Sequence, residues 1–285
     1  MKSIPVLADE KSRGRLSDAS LQAALQAIHT DGYVGLLNVA DVSHLEAVRA
    51  QMEHDITAWN ATAKDPVKGG NFTPSRRPEF LFGDILMNPI IAQVLGELLG
   101  REVSCGMYSS NVTMPGLGEQ KLHVDAAPNK AGDDMTIPCF CVVVNFPLVD
   151  FTIENGATQL WPGTQHVMRE PGEFWVNEKL EAARQTVAPP ERAILPRGGA
   201  LIRDIRLWHR GMVNHADHVR PMLAMILNGQ FHPATDPVEK IPCVGPFPQS
   251  MRPFFTQSPA IYYNPQFVEE DLIPGPGHEP KIRAG

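Results

Sequence analysis

The run from Thr136 to Leu148 constrains the fold more than any other stretch of the chain. It is apolar almost throughout, with Cys139-Phe140-Cys141-Val142-Val143-Val144 at its centre. It is too short to span a bilayer. Its β-branched content reads as a strand buried on both faces, which needs a covering layer on each side. Short strand patterns surround it. Val103 to Met114 and Glu119 to Asp125 flank a Pro115-Gly116-Leu117-Gly118 turn, Gly198-Gly199 leads into Ala200 to Asp204, and Met222 to Gln230 follows Arg220-Pro221. Many short strands at fairly even spacing indicate a sandwich or jelly roll.

Upstream, the period changes from two to that of a helix. Ser17 or Asp18 caps a helix through about His29, with Leu21, Ala24, Leu25 and Ile28 on one face. Tyr33 to Leu37 reads as a strand. A second helix begins near Asp41 or Ser43 and carries Leu45, Val48, Met52 and Ile56 as its apolar stripe. Asn88-Pro89 opens a third, which ends at Gly100. Residues 1–16 read as a loosely held polar arm and 60–78 as a long loop, a lid candidate because loops of that length are usually functional or disordered. Residues 173–186 form a helical or loop-like insertion. The expected fold is mainly β with flanking α: a double-stranded β-helix (jelly-roll, cupin-like) core with helices packed on one sheet. One domain would span 1–285, with a mostly helical part at 1–100 and the jelly-roll core at 101–232. A tail at 233–285 would pack on the core or on a partner; its Phe254-Phe255 and Tyr262-Tyr263 pairs suit an anchor or a homodimer contact more than a hydrophobic lid over the pocket.

Inside the strand region, Leu122-His123-Val124-Asp125 places a His and an Asp two apart. On an extended chain both point to the same face. A later His would complete two imidazoles and one carboxylate, the facial triad of non-haem Fe(II). Taken singly, each of these histidines is more often a satisfied structural residue than a ligand. Candidates for the third ligand are His209, His215 and His218. Trp208-His209 lies eleven residues before Arg220, and that spacing lets one strand turn and return beside the metal, favouring His209.

Three blocks occur in order: Gln120-Lys121-Leu122-His123-Val124-Asp125; Glu154-Asn155-Gly156-Ala157-Thr158 with Pro162-Gly163-Thr164; and Trp208-His209-Arg210-Gly211 with Asn214 and Arg220-Pro221. Together they resemble the phytanoyl-CoA dioxygenase family of Fe(II)/2-oxoglutarate-dependent oxygenases, over roughly residues 15–235. The resemblance implies Fe(II) held by His123, Asp125 and His209. It implies 2-oxoglutarate as cosubstrate, with its distal carboxylate on Arg220 and further hydrogen bonds from Gln120 and Thr158. A planar guanidinium matches a carboxylate in a way that Lys does not. The implied reaction uses O2 to oxidise an unactivated C–H bond, with release of succinate and carbon dioxide. Hydroxylation, desaturation and ring rearrangement all follow from that chemistry. Related halogenases lack the carboxylate ligand, so Asp125 points to hydroxylation-type chemistry.

The chain departs from the family pattern in places. Leu122 stands where an aromatic is common, and Pro162-Gly163-Thr164-Gln165-His166 displaces a family His by one position. Arg76-Arg77 is the only basic pair suited to the phosphates of an acyl-CoA, so a small, largely apolar metabolite of natural-product type is the expected substrate. Two further readings compete: a cupin-like protein using the triad for non-redox isomerisation or hydrolysis, and a catalytically inactive binding homologue. The former would not need Arg220.

Composition excludes other classes. The net charge is −7 over 285 residues with no basic stripe, which argues against nucleic-acid and anionic-membrane partners. Cys105, Cys139, Cys141 and Cys243 form no C-x-x-C pair and read as buried free thiols of a reducing compartment. The N-terminus lacks a signal-peptide core, and Arg15-Leu16 with Gln22-Ala23 fits an amphipathic helix better than a peroxisomal signal. A cytoplasmic location is expected.

Overall fold

The computed structural model describes residues 1–64, 67–75, 77–100, 103–126, 138–169, 172–229 and 261–263. In chain order the elements are β1 (Ser3–Pro5), α1 (Ala8–Arg13), α2 (Asp18–Asp31), β2 (Tyr33–Leu37), α3 (Val42–Thr62), β3 (Gly70–Phe72), α4 (Gly83–Leu86), α5 (Pro89–Leu99) and β4 (Val103–Thr113). They continue with β5 (Cys141–Pro147), β6 (Gln159–Leu160), α6 (Glu178–Val187), β7 (Glu191–Arg192), β8 (Ala200–Asp204), β9 (His209–Arg210), β10 (Arg220–Asn228) and β11 (Ile261–Tyr263). An eight-stranded sheet runs β1-β2-β8-β5-β10-β4-β11, with β3 added on β4. A smaller sheet runs β7-β6-β9.

Every residue of β5 is buried because both faces are covered. Val142, Val144 and Phe146 join Ala200, Ile202, Leu223 and Met225 in a cluster shared with Leu21, Ile28, Leu45, Met52 and Leu95 of the helices. The alternate residues face inward. Tyr33, Leu201 and Met222 pack with Ala157 and Leu160 of the small-sheet side. Helices therefore cover the outer face of the large sheet, and the small sheet covers the inner face, as a jelly roll requires. The two sheets remain open rather than closing into a barrel.

Helices α2, α3 and α5 form where the apolar periodicity places them. Ser17, Asp41 and Asn88 cap them through side-chain oxygens that accept from backbone N–H groups.

Three expectations are corrected. Residues 1–16 are not a loose arm: β1 pairs parallel with β2, and α1 follows. The Glu10 carboxylate holds this turn, accepting from Leu7 N at 3.0 Å and Ser17 N at 2.8 Å. Those backbone hydrogen bonds, from Ser17 first, hold its pKa down to about 2. Glu10 therefore stabilises the fold fully above about pH 4.5 and loses that effect as pH falls through about 2. Glu10→Gln is expected to lower stability by about 1–2 kcal/mol at neutral pH. The deficit should close on acidification, and denaturant melts across pH that kept it constant would contradict this.

The second correction concerns Glu119 to Asp125, which forms no hairpin with β4. Its backbone pairs instead with residues 205–211, through Gln120 N to Gly211 O and Asp125 N to Ile205 O. Third, 60–78 is not wholly loop. α3 runs on to Thr62, and β3 lies on β4 at Gly70↔Val112. The 173–186 insertion contains α6. Cys105, Cys139 and Cys141 form no disulfide among the described residues, and the first and last are buried. Cys243 and most of the 233–285 tail lie outside the described residues.

The Asn155-Gly156 turn is tight for a visible reason. Gly156 has φ +78°, and a Cβ there would meet Met212 O at 2.5 Å and Val213 O at 2.9 Å. Asn155 locks the same turn by accepting from Thr152 N and donating to Asp150 O. Gly156→Ala should cost about 1–3 kcal/mol, read from the midpoint of chemical unfolding; an unchanged midpoint would refute this packing.

Candidate active site

Leu122 and Val124 are each 2% exposed and pack with Trp161, Val176 and Trp208. Alternation then sends His123 and Asp125 to the opposite side, into a cavity between the two sheets. His209, the first residue of β9, reaches the same cavity because its segment is fixed twice. Trp208 N donates to Thr164 Oγ1 at 2.9 Å, and His123 and His209 exchange backbone hydrogen bonds of 3.1 and 2.9 Å. The Asp204 carboxylate braces the preceding turn by accepting from Arg206 N at 2.9 Å.

The three side chains converge. Asp125 Oδ1 lies 3.7 Å from His123 Nε2, and Asp125 Oδ2 lies 3.6 Å from His209 Nε2. One donor atom from each residue falls within 4.8 Å of the others. His123 Nδ1 bonds Lys121 O at 2.7 Å, and His209 Nδ1 bonds Leu207 O at 3.0 Å. A carbonyl acceptor makes Nδ1 the protonated nitrogen and leaves the Nε2 lone pair facing the cavity. Burial, reinforced by Arg203, pushes the His209 pKa down to about 3, so its imidazole is neutral. Burial opposes ionisation of Asp125, but Arg203 beside it, with His209 and His123, outweighs that and holds the carboxyl well below the usual range. Two imidazoles and a carboxylate suit Fe(II). His215 and His218, the competing candidates, are exposed away from this cluster.

The cavity measures about 230 Å³. Arg220, the first residue of β10, lines it and is 1% exposed. Its Nη2 donates to Thr113 Oγ1 at 2.6 Å, its guanidinium lies 5.1 Å from the Phe151 ring centroid, and its Nε has no hydrogen-bond partner among the described residues. Burial, with Arg192 adding repulsion, draws its pKa down to about 10, so it remains a cation. No carboxylate pairs with it among the described residues. A buried guanidinium left so is costly unless an anion arrives. Thr158 is buried on the cavity wall. Gln120 lines the mouth, but its Oε1 already accepts from Gly211 N at 2.7 Å, so its amide nitrogen is the group left for a ligand.

Several cavity residues escaped the sequence reading: Arg203 on β8, Asn145 on β5, Asn111 and Thr113 on β4, and Asn71 on β3. Arg203 is the most consequential, since its Nη2 lies 2.6 Å from Asp125 Oδ2. Alternation along β8 could have flagged it, because Ala200 and Ile202 are apolar and Arg203 must face the other way. Trp175 stands at the rim, 60% exposed, with its ring centroid 5.7 Å from that of His123.

Residues 28–222 match the family described as Phytanoyl-CoA dioxygenase (PhyH). The chain belongs to the phytanoyl-CoA dioxygenase family. It is therefore an Fe(II)/2-oxoglutarate-dependent dioxygenase by class. Among curated relatives, the protein named Dioxygenase trt7, from Aspergillus terreus (strain NIH 2624 / FGSC A1156), is 25% identical over 225 residues, covering 73% of each chain. Two solved structures share the fold of this family member. AviO1 from Streptomyces viridochromogenes Tue57 superposes with a TM-score of 0.57 at 17% identity, over 78% of this chain and 99% of that one. SnoK from nogalamycin biosynthesis, described as a non-heme alpha ketoglutarate dependent carbocyclase, gives 0.56 at 17% identity, over 75% and 84%. Among the described residues of this phytanoyl-CoA dioxygenase family protein, no helix is long and apolar enough to cross a membrane.

Proposed function

We propose that the protein oxidises an unactivated C–H bond of a small, largely apolar metabolite, with consumption of 2-oxoglutarate and O2 and release of succinate and carbon dioxide. The observation that carries this reading is the meeting, in one cavity, of His123, Asp125 and His209 with a buried Arg220 that has no counter-ion among the described residues. A non-redox metal site would not need such a cation.

In this reading His123, Asp125 and His209 hold Fe(II), while Arg220 takes the distal carboxylate of 2-oxoglutarate. When bound, the iron and 2-oxoglutarate supply the oxidant: one oxygen atom of O2 goes to the substrate carbon and the other to succinate. The chain's own contribution is to bind, orient and exclude water. Thr113 holds the Arg220 guanidinium in place. Thr158 and the Gln120 amide stand beside the cosubstrate path. Val112, Leu117, Met212 and Met222 give the cavity its apolar wall, and Trp175 at the rim offers a face to a substrate ring or alkyl body. Arg77, weighed as a phosphate contact, is engaged by Gln51 and Glu79, which supports a small metabolite over an acyl-CoA. Arg76 lies outside the described residues. Kinship in fold with SnoK supports a natural-product tailoring role.

The decisive measurement is anaerobic spectroscopy. With Fe(II) present and O2 excluded, adding 2-oxoglutarate should raise a weak visible charge-transfer band, and admitting O2 should release succinate. Absence of both would leave the non-redox reading. A band without succinate would identify an inactive binding homologue.

A further inference from the structure

Arg203 sits between β2 and β5 on the inner face of the large sheet, is 5% exposed and lines the cavity. Its Nη2 is committed to Asp125, at 2.6 Å. Its Nη1 meets no hydrogen-bond partner among the described residues. Among the described residues, the charged ones lining the cavity, histidines aside, are Asp125, Arg203 and Arg220. The nearby Asp204 is taken by Arg206 at 2.6 Å.

These charges do not balance once the site is loaded. Fe(II) brings two positive charges, 2-oxoglutarate two negative ones, and Asp125 one negative charge. The two arginines then leave one positive charge in excess. Asp125 cannot fully compensate both a divalent cation and Arg203, so metal binding turns Arg203 from a paired ion into a cation beside a cation. A low-dielectric cavity makes that excess expensive. It also makes the cavity a selective receptor for one more anion.

We propose that Arg203 forms a substrate-recognition site beside the metal, and that the substrate carries a single carboxylate which this guanidinium binds. The proposal rests on the dioxygenase reading and narrows its substrate class: an apolar body facing Met212, Met222 and Trp175, with one acid group pointing toward β8. The carboxylate anchors the molecule near the iron, so the carbon oxidised lies a short distance from the acid group.

The test uses the full-length protein loaded with Fe(II) and 2-oxoglutarate under argon. Thermal unfolding is followed with benzoate, cyclohexanecarboxylate and cinnamate, each compared with its primary amide. The carboxylates should raise the unfolding temperature and bind roughly tenfold or more tightly than the matched amides. Arg203→Met should erase that preference while the charge-transfer band persists at saturating metal. Arg203→Lys, which keeps the charge, should restore part of it. If wild type separates no acid from its amide, the proposal fails. It fails equally if Arg203→Met loses affinity only for 2-oxoglutarate, which would assign Nη1 to the cosubstrate. If the charge-transfer band never forms in wild type, the dioxygenase reading itself has failed instead.

Discussion

Asp125→Ala is expected to abolish substrate oxidation, lowering turnover by roughly a thousandfold or more, because the metal supplies several kcal/mol of the chemistry. Metal affinity should fall by more than the 10- to 100-fold typical of losing an outer-shell partner. The same change strips Arg203 of its counter-ion. Arg203 has a side chain only 7% exposed, so the apoprotein should also lose stability, by up to about 3–5 kcal/mol. His209→Ala provides the control: it removes a ligand without stranding a charge, so it should lose iron with a smaller stability penalty. Equilibrium dialysis of Fe(II) and thermal melts of both variants separate the two effects. An Asp125→Ala protein that turns over normally would falsify the site assignment.

Arg220→Met should leave the iron site intact and cripple cosubstrate binding. Removing one partner of a buried, hydrogen-bonded charge pair costs about 2–5 kcal/mol, or roughly 30-fold to several-thousandfold in Kd. Titration of 2-oxoglutarate against the anaerobic Fe(II) protein reads this directly. Arg220→Lys should fall between, since an ammonium keeps the charge but not the fork geometry set by Thr113. If Arg220→Met bound 2-oxoglutarate as wild type does, the cation would have another purpose.

The convergence of His123 with Asp125 was legible because its signal is local. Leu122 and Val124 are apolar and flank His123, so alternation alone aims His123 and Asp125 together, and Trp208 marks the ligand turn. The helices were equally readable, since Ser17, Asp41 and Asn88 announce their starts. What escaped depends on contacts between distant segments. β1 is three residues long, contains Pro5, and exists only because β2 offers it an edge. Glu10 looks like any surface acid until two backbone N–H groups close on it. The Pro115–Gly118 turn imitates a hairpin, yet β4 takes β3, β10 and β11 as neighbours and leaves 119–125 to a partner far along the chain. Arg203 stands close to Arg197 and Arg206 in sequence; alternation along β8 marks its side, but only the pairing of β8 with β2 and β5 turns that side to the cavity.

The backbone exchange between His123 and His209 also sets the order in which the protein can mature. The two imidazoles come from opposite ends of the jelly-roll region, and neither can face the other until β9 has found its place. Such non-local closure is among the slowest events in folding. Until then the chain offers a cation only the local His123 and Asp125 pair, without His209. The complete set of three side chains exists only once the topology is complete.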